Sequence, residues 1–483
     1  MKKYLIMLQI FTTVSLIVLG QNVGIGTTAP SEKLQVAGNI KTDTIKLNAI
    51  KLANNAGAGK VLTSDAAGNG IWETSNATTA GNKGFGVWGD CATNGNISEY
   101  FPVADAKGAA GDFFGYEVSI SGNYAIVGVR QDDVDAKINQ GSVNIYQYDG
   151  SGWVLMQKLT DPLGEAGDNF GGSVSISGNY AIVGAFLDDV SANSNQGSAS
   201  IYQFDGTTWV LMQQLTDASG EVDDLYGFSV SISNNYAVVG AYQDDVNGIT
   251  DQGSVSIYQF NGTTWELMQK MSGTPGAYFS FGISVSTSGN YVIVGAQGET
   301  VNANPNQGTA SIYEHDGKNW ILIQKIIDVT GALGDLFGRS VSISDNYAII
   351  GANGDDVGAN VNQGSASIYQ YDGLSWVLMK KLTDLAGESY DSFGWNVSIS
   401  GNYAIMGAWN DKVGTNITQG GSSSIYVRVG IGWQKLQYII DPGVNESDQF
   451  GFSNSIDGTT KRFLIGATGY ANGSGKVVFG KVN

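Results

Sequence analysis

The sequence predicts an all-β chain whose main body is a ring of seven small antiparallel sheets, a seven-bladed β-propeller, and three observations lead there. An aromatic-Gly pair recurs at Phe114-Gly115, Phe170-Gly171, Tyr226-Gly227, Phe281-Gly282, Phe337-Gly338, Phe393-Gly394 and Phe450-Gly451, always 55 to 57 residues from the last. Constant spacing over six intervals means one structural unit used seven times. Each interval holds four short apolar runs divided by turn residues, and the final copy ends one run short while a spare run precedes the first copy.

The clearest copy runs from Phe170 to Asp217 and predicts strands over 172–176, 180–185, 198–204 and 209–215. Ser-Gly-Asn at Ser177 to Asn179 and Asp-Gly-Thr-Thr at Asp205 to Thr208 make the tight turns, since these residues tolerate positive φ. A sheet of this size with apolar residues on both faces, such as Ala181, Ile182, Val183, Ile201 and Tyr202, cannot bury itself. It must stack on copies of itself.

The ends of the array predict how the ring closes. The last copy passes through Phe463 to Ala467 and Gly475 to Val482 and stops before a fourth strand. Trp153, Trp209, Trp265, Trp320, Trp376 and Trp433 open the fourth strand of the other six copies, and Ser98 to Asp105 stands in the corresponding place ahead of the first. That N-terminal segment is expected to complete the last blade and remove its exposed sheet edge.

Composition agrees with a turn-rich β protein: 68 of 483 residues are Gly, and charged residues make up only 14%. Six Pro and 11% aromatics argue against general disorder. The chain opens on Met1-Lys2-Lys3, an uncharged run from Tyr4 to Leu19, and Gly20, the pattern of a cleavable secretory signal over residues 1–20. The run is too short for a confident membrane span, and no second apolar run of about 18 residues follows. Export therefore predicts an extracellular or bacterial cell-surface location. Cys91 is the single cysteine, so no intramolecular disulfide can form. A net charge of −19 disfavours nucleic acid and anionic membranes as partners.

The Phe-Gly pairs, together with Val183-Gly184-Ala185, Val239-Gly240-Ala241 and Val294-Gly295-Ala296, resemble the FG-GAP repeats of integrin-α-type propellers, over about residues 97–483. Many such repeats carry a D-x-D-x-D-G calcium loop between the first and second strands. Here that turn is Ser177-Gly178-Asn179-Tyr180, so the resemblance does not bring the family's metal site with it. Asn22 to Ile40 and Gly59 to Glu73 resemble short β-rich segments of phage tail-fibre-like and bacterial surface proteins. That resemblance implies a stalk over 21–75, with trimerisation as a possibility, and Asn76 to Asn96 has the composition of a linker.

Strand alternation predicts that the second-to-third and fourth-to-next-first connections emerge on one face, carrying most of the 44 acidic residues. Two readings apply to the Asp132-Asp133, Asp188-Asp189, Asp244-Asp245 and Asp355-Asp356 loops. Oxygen-rich loops can hold Ca²⁺, at roughly 10⁻⁴ to 10⁻³ M for extracellular modules. The same residues can instead close their loops with Asx-type hydrogen bonds and keep the surface solvated; no loop has EF-hand spacing. Any partner of such a face should be cationic or metal-bridged.

Other chemistry is weakly supported. His315, the only histidine, occupies a place held by Tyr148, Phe204, Phe260 and Tyr371 in sister copies and reads as a packing residue. Without a second histidine, Ser-His-Asp, Cys-His and His-based zinc sites lack a constellation. Gly84 to Gly89 matches G-x-G-x-x-G but has no strand-turn-helix context. The expectation is an exported, non-enzymatic binding or adhesion-like propeller for an unknown protein or glycan. The alternative is a carbohydrate-active enzyme using a carboxylate pair, and a purely structural part of a surface fibre is a third reading. Acids that repeat almost identically from blade to blade favour binding or structure over catalysis, which needs two carboxyls in unequal environments.

Overall fold

The computed structural model describes residues 96–276, 278–413 and 417–483 in full, and the backbone of Val23–Ile25, Leu34–Val36, Lys60–Ser64 and Gly70–Thr74. The chain divides into two units, Met1–Lys83 and Gly84–Asn483. In the first, Val23–Ile25 pairs in parallel with Leu34–Val36, and Lys60–Ser64 pairs antiparallel with Gly70–Thr74. The secretory signal, Cys91 and the Gly84 to Gly89 run lie outside the described residues, as does nearly all of the expected linker.

The second unit is seven four-stranded antiparallel sheets in sequence order. Blade 2 comprises Ser173–Ser177, Tyr180–Ala185, Ser198–Phe204 and Trp209–Leu215. Three of these strands have the expected bounds, and the first is displaced by one residue. In blade 7, Phe450–Asp457, Arg462–Ala467 and Lys476–Val482 take Ile97–Val103 as fourth strand, in register from Val477 opposite Val103 to Lys481 opposite Glu99. The ring is closed by the N-terminal strand.

Why this sequence stacks as blades is visible in its cores. There are seven buried apolar clusters, and each lies between two adjacent blades rather than within one. Between blades 1 and 2, Ile126, Val143, Ile145 and Leu159 meet Phe170, Val174, Ala181, Val183 and Trp209. The aromatic of each Phe-Gly pair is thus a plug between neighbours, with Phe114, Phe170 and Phe450 wholly inaccessible. Its glycine and that of Val-Gly-Ala meet across the same seam: a Cβ on Gly184 would clash with the carbonyl of Gly227, which itself sits at φ +89°. The two motifs recur together because neither glycine can carry a side chain there.

The innermost strands line an axial channel, where their outer N–H groups would face an edge with no partner strand. Serines of the preceding blade satisfy them. Ile176 N–H donates to Ser119 Oγ, Ile232 to Ser175, Thr287 to Ser231, Ile343 to Ser286, Ile399 to Ser342 and Ile456 to Ser398. Ile120 N–H donates to Ser455 Oγ at 3.1 Å and completes the circuit from blade 7 to blade 1.

The rim is clasped in a similar way. Gln157 accepts from Trp209 N–H and donates to Trp209 O, and Gln213, Gln269 and Gln324 do the same with Trp265, Trp320 and Trp376.

Candidate functional site

The predicted loop acids have partners within the protein. Asp132 and Asp244 are buried and accept from Ser142 and Ser254 hydroxyls, each at 2.5 Å. Fourth-strand lysines join them: Lys158 pairs with Asp132 at 2.5 Å. Lys270 bridges Asp244 and Asp217, each at 2.6 Å, and Lys381 bridges Asp355 at 2.6 Å and Asp328 at 2.8 Å. Each of these two lysines ties the second-to-third loop of its own blade to the connection from the blade before.

Blade 2 has Gln214 where its neighbours have lysine. The amide donates at 3.4 Å to both Asp161 and Asp188, so this pair has a dipole in place of a cation. The second acids of the loops cap backbone: Asp133, Asp189, Asp245 and Asp356 accept from the N–H of Asn139, Asn195, Asp251 and Asn362 at 2.8 to 2.9 Å. Among the described residues no group of three or more His, Cys, Asp or Glu is placed to hold a metal ion.

A further row of acids precedes every aromatic-Gly pair but Phe281-Gly282, where Phe279 takes the place. Asp168, Asp224, Asp335 and Asp391 are buried and accept from the N–H of Glu165, Glu221, Ala332 and Glu388. Burial pushes these carboxyls up to about 6, 7, 6 and 7 respectively, partly offset by those backbone bonds.

His315 lies against Trp320 and Tyr236, with its Nδ1 3.3 Å from the Tyr236 hydroxyl, a packing position. Asp149, Asp205 and Asp372 are exposed turn residues whose carboxylates accept the N–H groups of the same turn.

The position that sequence reasoning missed is the residue after each aromatic-Gly pair. Its seven occupants are Tyr116, Gly172, Phe228, Ile283, Arg339, Trp395 and Phe452, and all seven line the axial cavity of about 200 Å³. The following residues repeat Val and Ser in almost every copy, yet this position never repeats outside its two Phe. The residue after the second strand is equally variable, with Arg130, Phe186, Tyr242 and Trp409 among its occupants, and of these Phe186 lines the cavity.

The side chains organise as an arc over blades 5, 6, 7 and 1. The Arg339 guanidinium lies 4.3 Å from the Trp395 ring centroid. Trp395 is 5.6 Å from Phe452, and Phe452 is 5.2 Å from Tyr116. The Arg130 guanidinium lies 4.0 Å from the Tyr116 centroid, and its buried Nε has no hydrogen-bond partner among the described residues. All five side chains are half-buried, and neither guanidinium is in an ion pair there.

The cavity wall also holds Glu117, the one carboxylate among the residues lining it. Burial pushes it up to about 7, against the opposing pull of the Arg339 charge and a hydrogen bond from Asn396. The signal for this site was in the sequence, as a variable column at the start of otherwise regular first strands.

Seven blades around an axial channel with a variable mouth define a repeat-built β-propeller. The chain belongs to the FG-GAP repeat family, whose model matches six consecutive segments, residues 104–146, 153–202, 209–258, 265–313, 320–369 and 376–427, well over half of the chain. No curated protein matches it. Among solved structures it is similar to a functionally unknown protein from Desulfotomaculum acetoxidans DSM 771, at 11% identity and a TM-score of 0.45, over 72% of this chain and 90% of that one.

Proposed function

We propose that the chain is an exported, surface-displayed binding protein without catalytic activity, in which the propeller presents the axial mouth and the surrounding acidic loops to a protein or glycan. The observation that carries this reading is that first strands which otherwise repeat Val and Ser bring unlike side chains together at the mouth. A ring held by equivalent seams and serine bonds needs no variety there for stability, whereas a recognition site needs unlike side chains at fixed positions.

An FG-GAP propeller is consistent with a surface or adhesion-type protein. Among the described residues no helix is long and apolar enough to cross a membrane. The secretory signal and the stalk over 21–75 remain part of the proposal as the means of export and display.

Non-catalytic binding is favoured over glycoside hydrolysis because hydrolysis requires two carboxyls across a scissile bond. Glu117 stands without a second carboxylate in the cavity wall. The test exposes the full chain to protein and glycan arrays and assays the bound glycans for released reducing ends. Saturable binding without release is expected; release of reducing ends, or no binding to either array, overturns the reading.

A further inference from the structure

We propose that the axial mouth binds a carboxylated sugar unit of an acidic polysaccharide, its ring packed on Trp395, Phe452 and Tyr116 and its carboxylate held by the guanidinium of Arg339 or Arg130. The inference rests on the binding function proposed above and assigns it a ligand class.

The arc combines the two surfaces that such a sugar requires. Three half-buried aromatic rings in succession offer apolar faces to the C–H side of a pyranose. At each end of the succession lies an arginine that forms no ion pair among the described residues. Guanidinium is the side chain best matched to a planar carboxylate, which it can hold through two parallel N–H bonds. The Arg130 Nε is buried and has no hydrogen-bond partner among the described residues.

The same geometry argues against a cationic ligand. A guanidinium already covers one face of Trp395 and one of Tyr116, so a pyranose has only the opposite faces and Phe452 to pack on, and a third cation would be repelled by both groups. The mouth therefore departs from the cationic or metal-bridged partner that the loop charge alone suggests.

Loop acids do not forbid the approach of an anion. Asp132, Asp217, Asp244, Asp328 and Asp355 share Lys158, Lys270 and Lys381, which offsets part of their charge, and charges beyond about 8 Å are largely screened at physiological salt. A cavity of about 200 Å³ is smaller than the roughly 300–1,000 Å³ of drug-sized sites, so one sugar ring enters while its neighbours lie across the mouth. Glu117 and Asn396, also in the cavity wall, supply groups for hydroxyl recognition.

The experiment titrates the full chain with oligogalacturonate, alginate and hyaluronate oligosaccharides, and with their carboxyl-methylated forms, by calorimetry. Binding to at least one acidic oligosaccharide is expected, with methylation weakening it on the order of tenfold or more, the loss of a charge-assisted bidentate pair. Arg339→Gln and Trp395→Ala should each weaken it by a similar factor. Tyr116→Ala serves as a second aromatic variant should Trp395→Ala lower the melting temperature.

No binding to any of the three acids, equal binding of acid and ester, or binding that well-folded Arg339→Gln and Tyr116→Ala leave unchanged overturns the inference. Array hits confined to neutral glycans or to proteins, acidic peptides included, also overturn it and leave the broader binding function standing. A chain that binds nothing on either array loses both.

Discussion

Ile120 N–H donates to Ser455 Oγ at 3.1 Å across a sequence separation of 335 residues, and this bond joins the last blade to the first. It is one of seven equivalent bonds, so the ring has no weak seam at the axis. At the rim the same junction depends on the N-terminal strand Ile97–Val103 against Lys476–Val482.

Deleting Ser98 to Asp105 should therefore leave blade 7 with three strands and expose the edge of Lys476–Val482. A drop in melting temperature of several degrees is expected. Scanning calorimetry of the deleted chain checks it, and an unchanged midpoint would show that the axial serines alone hold the junction.

Trp209 is 2% exposed and meets Tyr124 of the preceding blade edge-on, with ring centroids 5.6 Å apart. Trp209→Ala should cost about 3–5 kcal/mol, the range for truncating a large buried aromatic. Trp153 at the blade 7 junction is only half-buried, so Trp153→Ala should cost less. Denaturant unfolding of the two variants gives the comparison.

Lys270 holds two carboxylates, the buried Asp244 and the half-buried Asp217. Lys270→Met leaves both without a cation and should destabilise the protein by about 1–3 kcal/mol, the cost of buried groups that lose their partner. Lys270→Gln reproduces what blade 2 already has at Gln214 and should cost less than Lys270→Met. Equal losses in urea melts would show that the amide does not bridge the acids.

Stability should rise as pH falls from 8 to about 5. Asp168, Asp224, Asp335 and Asp391 have carboxyls raised by burial to about 6–7 in the folded chain. The folded state then holds more protons than the unfolded state between about pH 4 and 7, and stability is lost as pH rises through that window. Asp217 and Asp328 work in the opposite sense. Burial raises them, but bonds from Lys270 and Lys381 outweigh it and leave both lowered, so their contribution is lost on further acidification. Melting temperatures across pH 3 to 9 should pass through a maximum between about 4 and 6; a maximum above 7 would refute this account.

Calcium should leave the unfolding midpoint unchanged. Asp133, Asp189, Asp245 and Asp356 spend an oxygen on a backbone N–H, and Asp132, Asp244 and Asp355 are paired with lysine. A ligand that binds only the folded state raises the midpoint by mass action. A clear rise in millimolar Ca²⁺ over EDTA would favour the calcium reading of these loops.

Much of this molecule was decided by local sequence. The spacing of the aromatic-Gly pairs set seven repeats, and the Ser177 to Asn179 and Asp205 to Thr208 turns set the strand ends within a residue. The missing last strand and the spare segment before Phe114 set the closure. These features are legible because period and turn chemistry act over a few residues. The loop acids illustrate the limit: Asp188 and Asp244 look alike in sequence, yet one faces an amide and the other an ammonium supplied by a distant strand. The site at the axis is the clearest case. Tyr116, Arg339, Trp395 and Phe452 are scattered over more than three hundred residues and look like noise in a repeat. Only closure of the ring brings position-equivalent residues of successive blades to one axis, where their differences become a single surface.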